Sequence, residues 1–441
     1  MNFDPTKVPK KVDDNWLAEA IVAKLGKENL LNCGIDTFIF EDSWRCFDLM
    51  ALSNFVRTHL ATLNEFRRSE SLDASSITAN RVTSVVKLLQ MVVHSELLQF
   101  NGGPPDTVGC ANGDVTFRDG SWLLQPPRHE DYRICRIPHA YDPDAKAPRF
   151  AKFLQEVFAP DDDGEQKAEF LLQMMGYALM THCQHERFLI AVGNGANGKS
   201  VALNVIGELV GRQNAAAVHP SYLKNNHHRA QLNQKLVNII TESEQGGKLP
   251  AAELKALVSG EVMTVDRKHK DPFEMHPFAT ILWATNHMPH PSDYSDALFR
   301  RAVILTFNRT FAEHERDRLL MLTLRKEMAG ILNMALEAYG RAVTSGFAEP
   351  PSSIEAKKDW RKQSDAIALW LADCELADGA ELRASVCFDA FRQWCENAQL
   401  QKLTIKSFSQ RLERLGISKR RTSEGIVYVG IKIAAAEVCF S

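Results

Sequence analysis

The chain has 441 residues, enough for two to four globular units that bury cores without covalent staples. Its 52 Lys+Arg and 55 Asp+Glu leave a formal charge of −3, so no general basic coat draws it onto nucleic acid and any such site must be local. With 45% hydrophobic and 24% charged residues, and no apolar run near the ~18–20 residues that span a bilayer, the composition argues against the disordered and membrane classes. The first residues lack an apolar signal core, and the nine cysteines are scattered without a C-x-x-C pair. Reduced thiols, no cysteine-based zinc site, no membrane partner and a cytoplasmic setting are the expectations.

Residues 1–105 read as a mostly helical domain, with apolar positions at helical spacing in Trp16, Leu17, Ile21, Val22 and Leu25 and again in Val82, Val85, Val86, Leu89 and Val93. Between them, 37–40 and 44–47 read as a hairpin around Glu41, Asp42 and Ser43. Residues 106–148 carry turn signals at Asn112-Gly113, Asp119-Gly120, Pro126-Pro127 and Asp142-Pro143, which predicts a β-rich connector. Helical periodicity over 150–158 and 165–180 predicts a helical collar at 149–187. From 188 to 348, strand-like runs at 188–192, 236–241, 279–284 and 303–307 alternate with helical stretches. That pattern predicts an α/β domain with a parallel sheet and ligands at the carboxyl ends of its strands. Glu349-Pro350-Pro351 marks a boundary, read as a linker over 349–364. The tail, 365–441, reads as two helices (388–398 and 405–415) followed by strands at 417–421 and 426–433, a helix, helix, two-strand-wing order.

Gly193, Asn194, Gly195, Ala196, Asn197, Gly198, Lys199 and Ser200 match G-x-x-x-x-G-K-[ST] between an apolar run and an amphipathic stretch that Gly211 can cap. Four fixed positions arise by accident in a chain this long at roughly one or two per cent, before the strand and helix flanks are required. Glycines let backbone N–H groups turn inward around phosphate oxygens, and the following helix adds its positive end. Lys199 then meets the β/γ phosphates and Ser200 offers a hydroxyl to Mg2+, which makes ATP with Mg2+ the expected ligand.

Hydrolysis also needs carboxylates at a neighbouring strand end, and Glu242 and Glu244 follow the strand at 236–241. Two apart in an extended chain, they face one side, so Glu242 or Glu244 is the candidate beside the metal, with either one available to arrange water. A further strand ends at Asn286, an amide suited to holding the attacking water or sensing the γ-phosphate. Arg300 and Arg301 precede the strand at 303–307, and one of them reaching a neighbour's phosphates implies a ring of subunits.

The order of these motifs resembles the superfamily III helicases, and within them the poxvirus-type and phage/plasmid primase-helicase branch. The residues that carry the resemblance are 193–200, Glu242 and Glu244, Glu253 to Lys255 with 258–260, Asp266 to Lys270, Asn286 with Pro289, and Asp296 to Arg301. It spans about 106–433, and Ser243 departs from it by separating acids that are adjacent in many relatives. The resemblance implies an AAA+-like P-loop ATPase after a helical collar and before a winged-helix domain. It also implies a hexameric homo-oligomer that moves 3′-to-5′ on single-stranded or forked DNA in phage, plasmid or satellite replication. By resemblance Lys268 and His269, flanked by Arg267 and Lys270, sit at a hairpin tip and track the DNA backbone. Residues 1–105 show no zinc ligand set and no carboxylate pair on a strand, so a primase or polymerase is expected to be either a separate polypeptide or absent.

Between 402 and 432 eight cations face only Glu413 and Glu424. Lys406 and Arg411 on the candidate recognition helix and Lys419, Arg420 and Arg421 on the wing are therefore the expected second DNA contact, with a protein-docking module as the competing reading. His182, Cys183 and His185 read as surface rather than as a metal site, and His227 and His228 as loop. The alternative to a helicase is a DNA-binding initiator or defence factor that uses ATP as an assembly switch.

Overall fold

A computed structural model describes residues 8–33, 36–95, 100–241, 248–268, 271–291, 296–397, 404–423 and 425–433. The first region is helical with one small sheet: α1 (Asp14–Leu25), β1 (Leu30–Cys33), β2 (Asp36–Phe40), β3 (Trp44–Cys46), α2 (Leu49–Ser69) and α3 (Ala79–Val92). Its helices start where short polar side chains satisfy open backbone N–H groups: Asp13 accepts from Trp16 N, Asp48 from Ala51 N and Thr78 from Arg81 N. Leu52, Val56, Leu60 and Leu63 of α2 meet Val82, Val85, Val86 and Leu89 of α3 in a core that also takes Leu17, Ile21 and Val22.

The connector is an antiparallel three-stranded sheet, β4 (Thr107–Cys110), β5 (Gly113–Arg118) and β6 (Ser121–Gln125). Two helices follow, α4 (Pro148–Phe158) and α5 (Gly164–Tyr177). The segment that carries the glycine-rich motif runs β7 (Phe188–Val192), α6 (Lys199–Val210), β8 (Ala215–Ala216), α7 (Asn226–Arg229), β9 (Val237–Ile240), β10 (Lys248–Leu249), α8 (Ala251–Val258), β11 (Met263–Val265), β12 (Phe273–Met275), β13 (Thr280–Thr285), β14 (His290–Pro291), α9 (Asp296–Arg301) and β15 (Ala302–Thr306). Five strands form one parallel sheet in the order β15-β7-β13-β9-β8; β7, β9, β13 and β15 lie within a residue or so of the four expected runs, and β8 is an edge strand outside them. Each central strand reads as a continuous apolar run because both faces are covered. Leu189, Ala191, Leu282 and Val303 face α5 and α6 and the helix α11 (Met328–Ser345), which follows α10 (Leu320–Lys326). Ile190, Ile281, Trp283 and Ile304 face α8, α9 and Trp360.

Besides short strands such as β1 and β8, which the sequence reading did not include, two stretches depart from it. Residues 351–364, inside the expected linker, form helix α12 (Pro351–Ser364), which begins with proline at the position where a missing N–H costs nothing. The tail then runs α13 (Ala366–Asp373), β16 (Glu375–Arg383), α14 (Ala384–Asn397), α15 (Ile405–Arg414), β17 (Ser418–Thr422) and β18 (Gly425–Lys432). The two helices and two strands at 384–432 match expectation, but α13 precedes them as a further helix and a third strand, β16, completes the sheet in the order β16-β18-β17. Its sequence, rich in Glu, Asp, Ala and Gly, carries little strand propensity, so the pairing with β18 decides its state.

Candidate functional site

The carboxyl ends of β15, β7 and β13 lie side by side, and the glycine-rich loop leaves the middle one. Gly193 N donates to Thr285 O at 3.3 Å and Phe307 N to Val192 O at 2.7 Å, so the loop's base is held from both neighbouring strands. A side chain at Gly193 would place its Cβ 2.5 Å from Phe307 O, and Gly198 has φ +90, so both positions require glycine. Asn197 is buried and donates from Nδ2 to Phe307 O at 3.2 Å, and Phe311 N donates to Ala196 O at 2.8 Å. Behind this strap, the fully buried Lys167 of α5 donates to Thr306 O and Oγ1 at 3.1 and 2.8 Å and pairs with Asp161 at 3.0 Å.

Lys199 opens α6 and points back across the loop. Its ammonium donates to Gly193 O, to Asn197 Oδ1 at 3.1 Å and to Asn286 Oδ1 at 3.3 Å. Lys199 is only 5% exposed, and burial pulls its pKa below the ordinary lysine value. Its partners are all neutral oxygens, and among the described residues it makes no ion pair. A buried cation at the N-terminus of a twelve-residue helix, beside a loop with positive φ at Gly195, Ala196 and Gly198, is an arrangement that accepts an oxyanion. Ser200 and Asn194 are exposed at the same mouth. Asn286, at the end of β13, is therefore brought to Lys199, whereas Glu242 and Glu244 lie outside the described residues.

Arg300 and Arg301 separate sharply. Arg301 is 8% exposed; it donates to Ser259 Oγ at 3.1 and 2.8 Å and to Ala297 O, and pairs with Glu186 at 2.9 Å. Arg300 is exposed, with its guanidinium 3.8 Å from the same carboxylate. Burial opposes the Glu186 charge, but a hydrogen bond from Ser259 and the Arg301 guanidinium hold its pKa below the usual glutamate value. Ser259 fell within the sequence motif, while nothing local marks Glu186 as its companion.

The strands β11 and β12 pair Met263 with Met275 and Val265 with Phe273, so a hairpin does form around the basic stretch. Lys268 is exposed at its turn; His269 and Lys270 lie outside the described residues. Arg267 lies 5.4 Å over the Phe273 ring and donates to both oxygens of Asp36, at 3.0 and 3.4 Å. Asp36 carried no sequence signal, because 231 residues separate the pair.

In the tail, Arg411 pairs with Asp365, which also caps α13, while Lys419 pairs with Glu413, Arg420 with Glu381 and Lys432 with Glu375. Three of those four carboxylates lie upstream of the basic stretch, so folding neutralises much of the surplus counted along the sequence. Lys406 and Arg421 remain exposed and outside the ion pairs among the described residues. Also among the described residues, no group of three His, Cys, Asp or Glu side chains is placed to hold a metal, and no helix is long and apolar enough to cross a membrane. His182 and His185 instead meet Asp106 and Tyr339, and the Cys183 thiol donates to backbone carbonyls.

Residues 18–159 match the family described as D5 N terminal like. Residues 191–301, from the glycine-rich loop to Arg301, match a family of unknown function, DUF5906. Among solved structures, the A form apo structure of the NrS-1 C terminal region is similar at 12% identity with a TM-score of 0.53, covering 96% of this chain and 100% of that one. The apo structure of NrS-1 C terminal region (305-718) has 11% identity, a TM-score of 0.47 and the same coverage. At such identities the first likeness is one of fold.

Proposed function

We propose that the chain is an ATP-driven, ring-forming DNA helicase of phage, plasmid or satellite replication, with an AAA+-like P-loop ATPase domain followed by a winged-helix unit. The single observation that carries this reading is the Lys199 ammonium, buried among neutral oxygens from the loop and from Asn286, where a triphosphate supplies the compensating charge. The D5-type match supports the replication context.

In this reading the backbone of residues 193–198 and the start of α6 cradle the phosphates, and Lys199 lies on the β and γ groups. Ser200 with Glu242 or Glu244 would hold Mg2+, which would supply positive charge against what builds on the transferred phosphoryl group. Glu242 or Glu244 orients the attacking water, and Asn286 holds it against the γ-phosphate. Arg300, exposed where Arg301 is committed to Ser259 and Glu186, is the residue that reaches a neighbouring subunit's nucleotide. Lys268, with Arg267, His269 and Lys270, makes sequence-tolerant contacts to a strand's phosphates, and Lys406 and Arg421 provide the accessible cations of the tail.

The test is ATP-dependent unwinding of a forked duplex, run beside particle imaging for six-membered rings. Lys199→Ala is expected to lower ATP turnover at least about a hundredfold without changing the far-ultraviolet circular dichroism. Retained turnover in that variant removes the site assignment. Turnover without unwinding leaves the initiator-like switch as the better reading.

A further inference from the structure

The N-terminal region reaches the hairpin turn through β2, whose two ends have different anchors. Phe38 and Phe40 lie in an aromatic cluster with Trp44, Phe100 and Tyr132, where Trp44 Nε1 donates to His129 O at 2.7 Å. That end is fixed to the segment around the connector. At the other end Asp36 presents both carboxylate oxygens to the Arg267 fork, at 3.0 and 3.4 Å. β2 is thus a strut from the connector to the hairpin turn. A carboxylate offers a guanidinium the same paired oxygens that a phosphodiester does, so one arginine can exchange one for the other.

We propose that Asp36 is a positioning residue for the hairpin turn: its carboxylate occupies the place of a nucleic-acid phosphate on Arg267 and parks the turn against the N-terminal region until a strand displaces it. The proposal rests on the reading of the hairpin as a nucleic-acid contact. Both side chains are about a third exposed, at 36% for Arg267 and 32% for Asp36. Ion pairs of that exposure are weak, so the hold is one that an incoming polyanion breaks. Arg267 keeps the Phe273 ring beneath it and does not need to refold to change partners.

Binding of a labelled oligo-dT of about 30 nucleotides, measured across a salt series on the full chain, tests the exchange. Asp36→Asn is expected to tighten binding roughly two- to fivefold at low salt, because Arg267 no longer has to leave a partner. It also steepens the salt dependence by up to about 0.7 in the log–log slope, because the wild-type carboxylate recaptures a cation when released. Asp36→Glu restores wild-type behaviour, Arg267→Gln weakens binding, and the Asp36→Asn/Arg267→Gln pair behaves as Arg267→Gln alone. A merely structural role for Asp36 loosens binding in Asp36→Asn and leaves the slope where it was. Unchanged or weaker binding by Asp36→Asn, with Arg267→Gln weakened, overturns the proposal alone. Unchanged binding in both variants strikes the hairpin reading itself, and this proposal with it.

Discussion

Adjacent arginines illustrate how much a single residue's role depends on its surroundings. Arg300 and Arg301 are chemically identical and sit together at the end of α9, yet one is exposed and the other is wedged between Ser259 and Glu186. Removing Arg301 takes from the half-buried Ser259 hydroxyl and the Glu186 carboxylate the guanidinium they share, a cost of about 1–3 kcal/mol. Arg301→Ala is accordingly expected to lower the free energy of urea unfolding by that amount, whereas Arg300→Ala shifts stability by less than about 0.5 kcal/mol. Arg300→Ala should instead lose ATP turnover, and mixing it with Lys199→Ala should restore part of it at interfaces that pair an intact Lys199 with an intact Arg300. Absence of any recovery in the mixture counts against a trans role. The motif spacing already singled out Lys199 and Asn286, but the choice between the two arginines lay in burial, which adjacent identical letters cannot express.

At the scale of elements, α12 is where local signals and tertiary placement part company. Its sequence is polar, with only Ser353, Trp360 and Ser364 buried, and its opening prolines mark a boundary as well as a helix start. Trp360 gives the helix its place: it meets Phe299 of α9 at 4.8 Å, edge to face, and donates from Nε1 to Pro289 O at 2.8 Å. Arg361 adds a pair with Asp296 and a contact over the Phe299 ring. The segment between the sheet and the tail therefore also braces the helix that carries Arg300. Trp360→Ala is expected to cost about 3–5 kcal/mol in denaturant unfolding, a loss that a flexible linker would not incur. The strands of the parallel sheet were legible because burial on both faces makes each an apolar run, whereas β16 owes its state to a partner strand.

For the molecule as a whole, one polar cluster ties the connector, the turn after α5 and helix α11 together. Tyr339 donates to Asp106 at 2.6 Å, His182 lies 3.2 Å from the same oxygen, and His185 meets the Tyr339 hydroxyl at 3.1 Å. Burial, and then the nearby His182, lower the His185 pKa; burial opposes the Asp106 charge, but hydrogen bonds from His182 and Tyr339 bring its pKa below the usual value. A histidine that resists protonation when folded loses stability as the pH falls through its ordinary range. A carboxylate with a lowered folded pKa loses its contribution further down, as the pH falls through that value, so both groups make acid destabilising. Urea unfolding between about pH 7.5 and about pH 5.5 should show that His185→Gln is less sensitive to acid than the wild type. An identical slope in the two proteins excludes His185 from the effect.

The amino-acid sequence by itself determined the alternation of strands and helices, the glycine-rich loop and its lysine, and the hairpin around the basic stretch. Those features arise from backbone geometry and side-chain periodicity within one or two elements, where neighbours in the chain are neighbours in space. Only the tertiary structure decided which cations are accessible: Arg267, Arg301, Arg411 and Arg420 each met a carboxylate contributed from elsewhere in the chain. Charge is additive along a sequence, but its availability depends on burial and on partners that the fold brings together across tens to hundreds of residues.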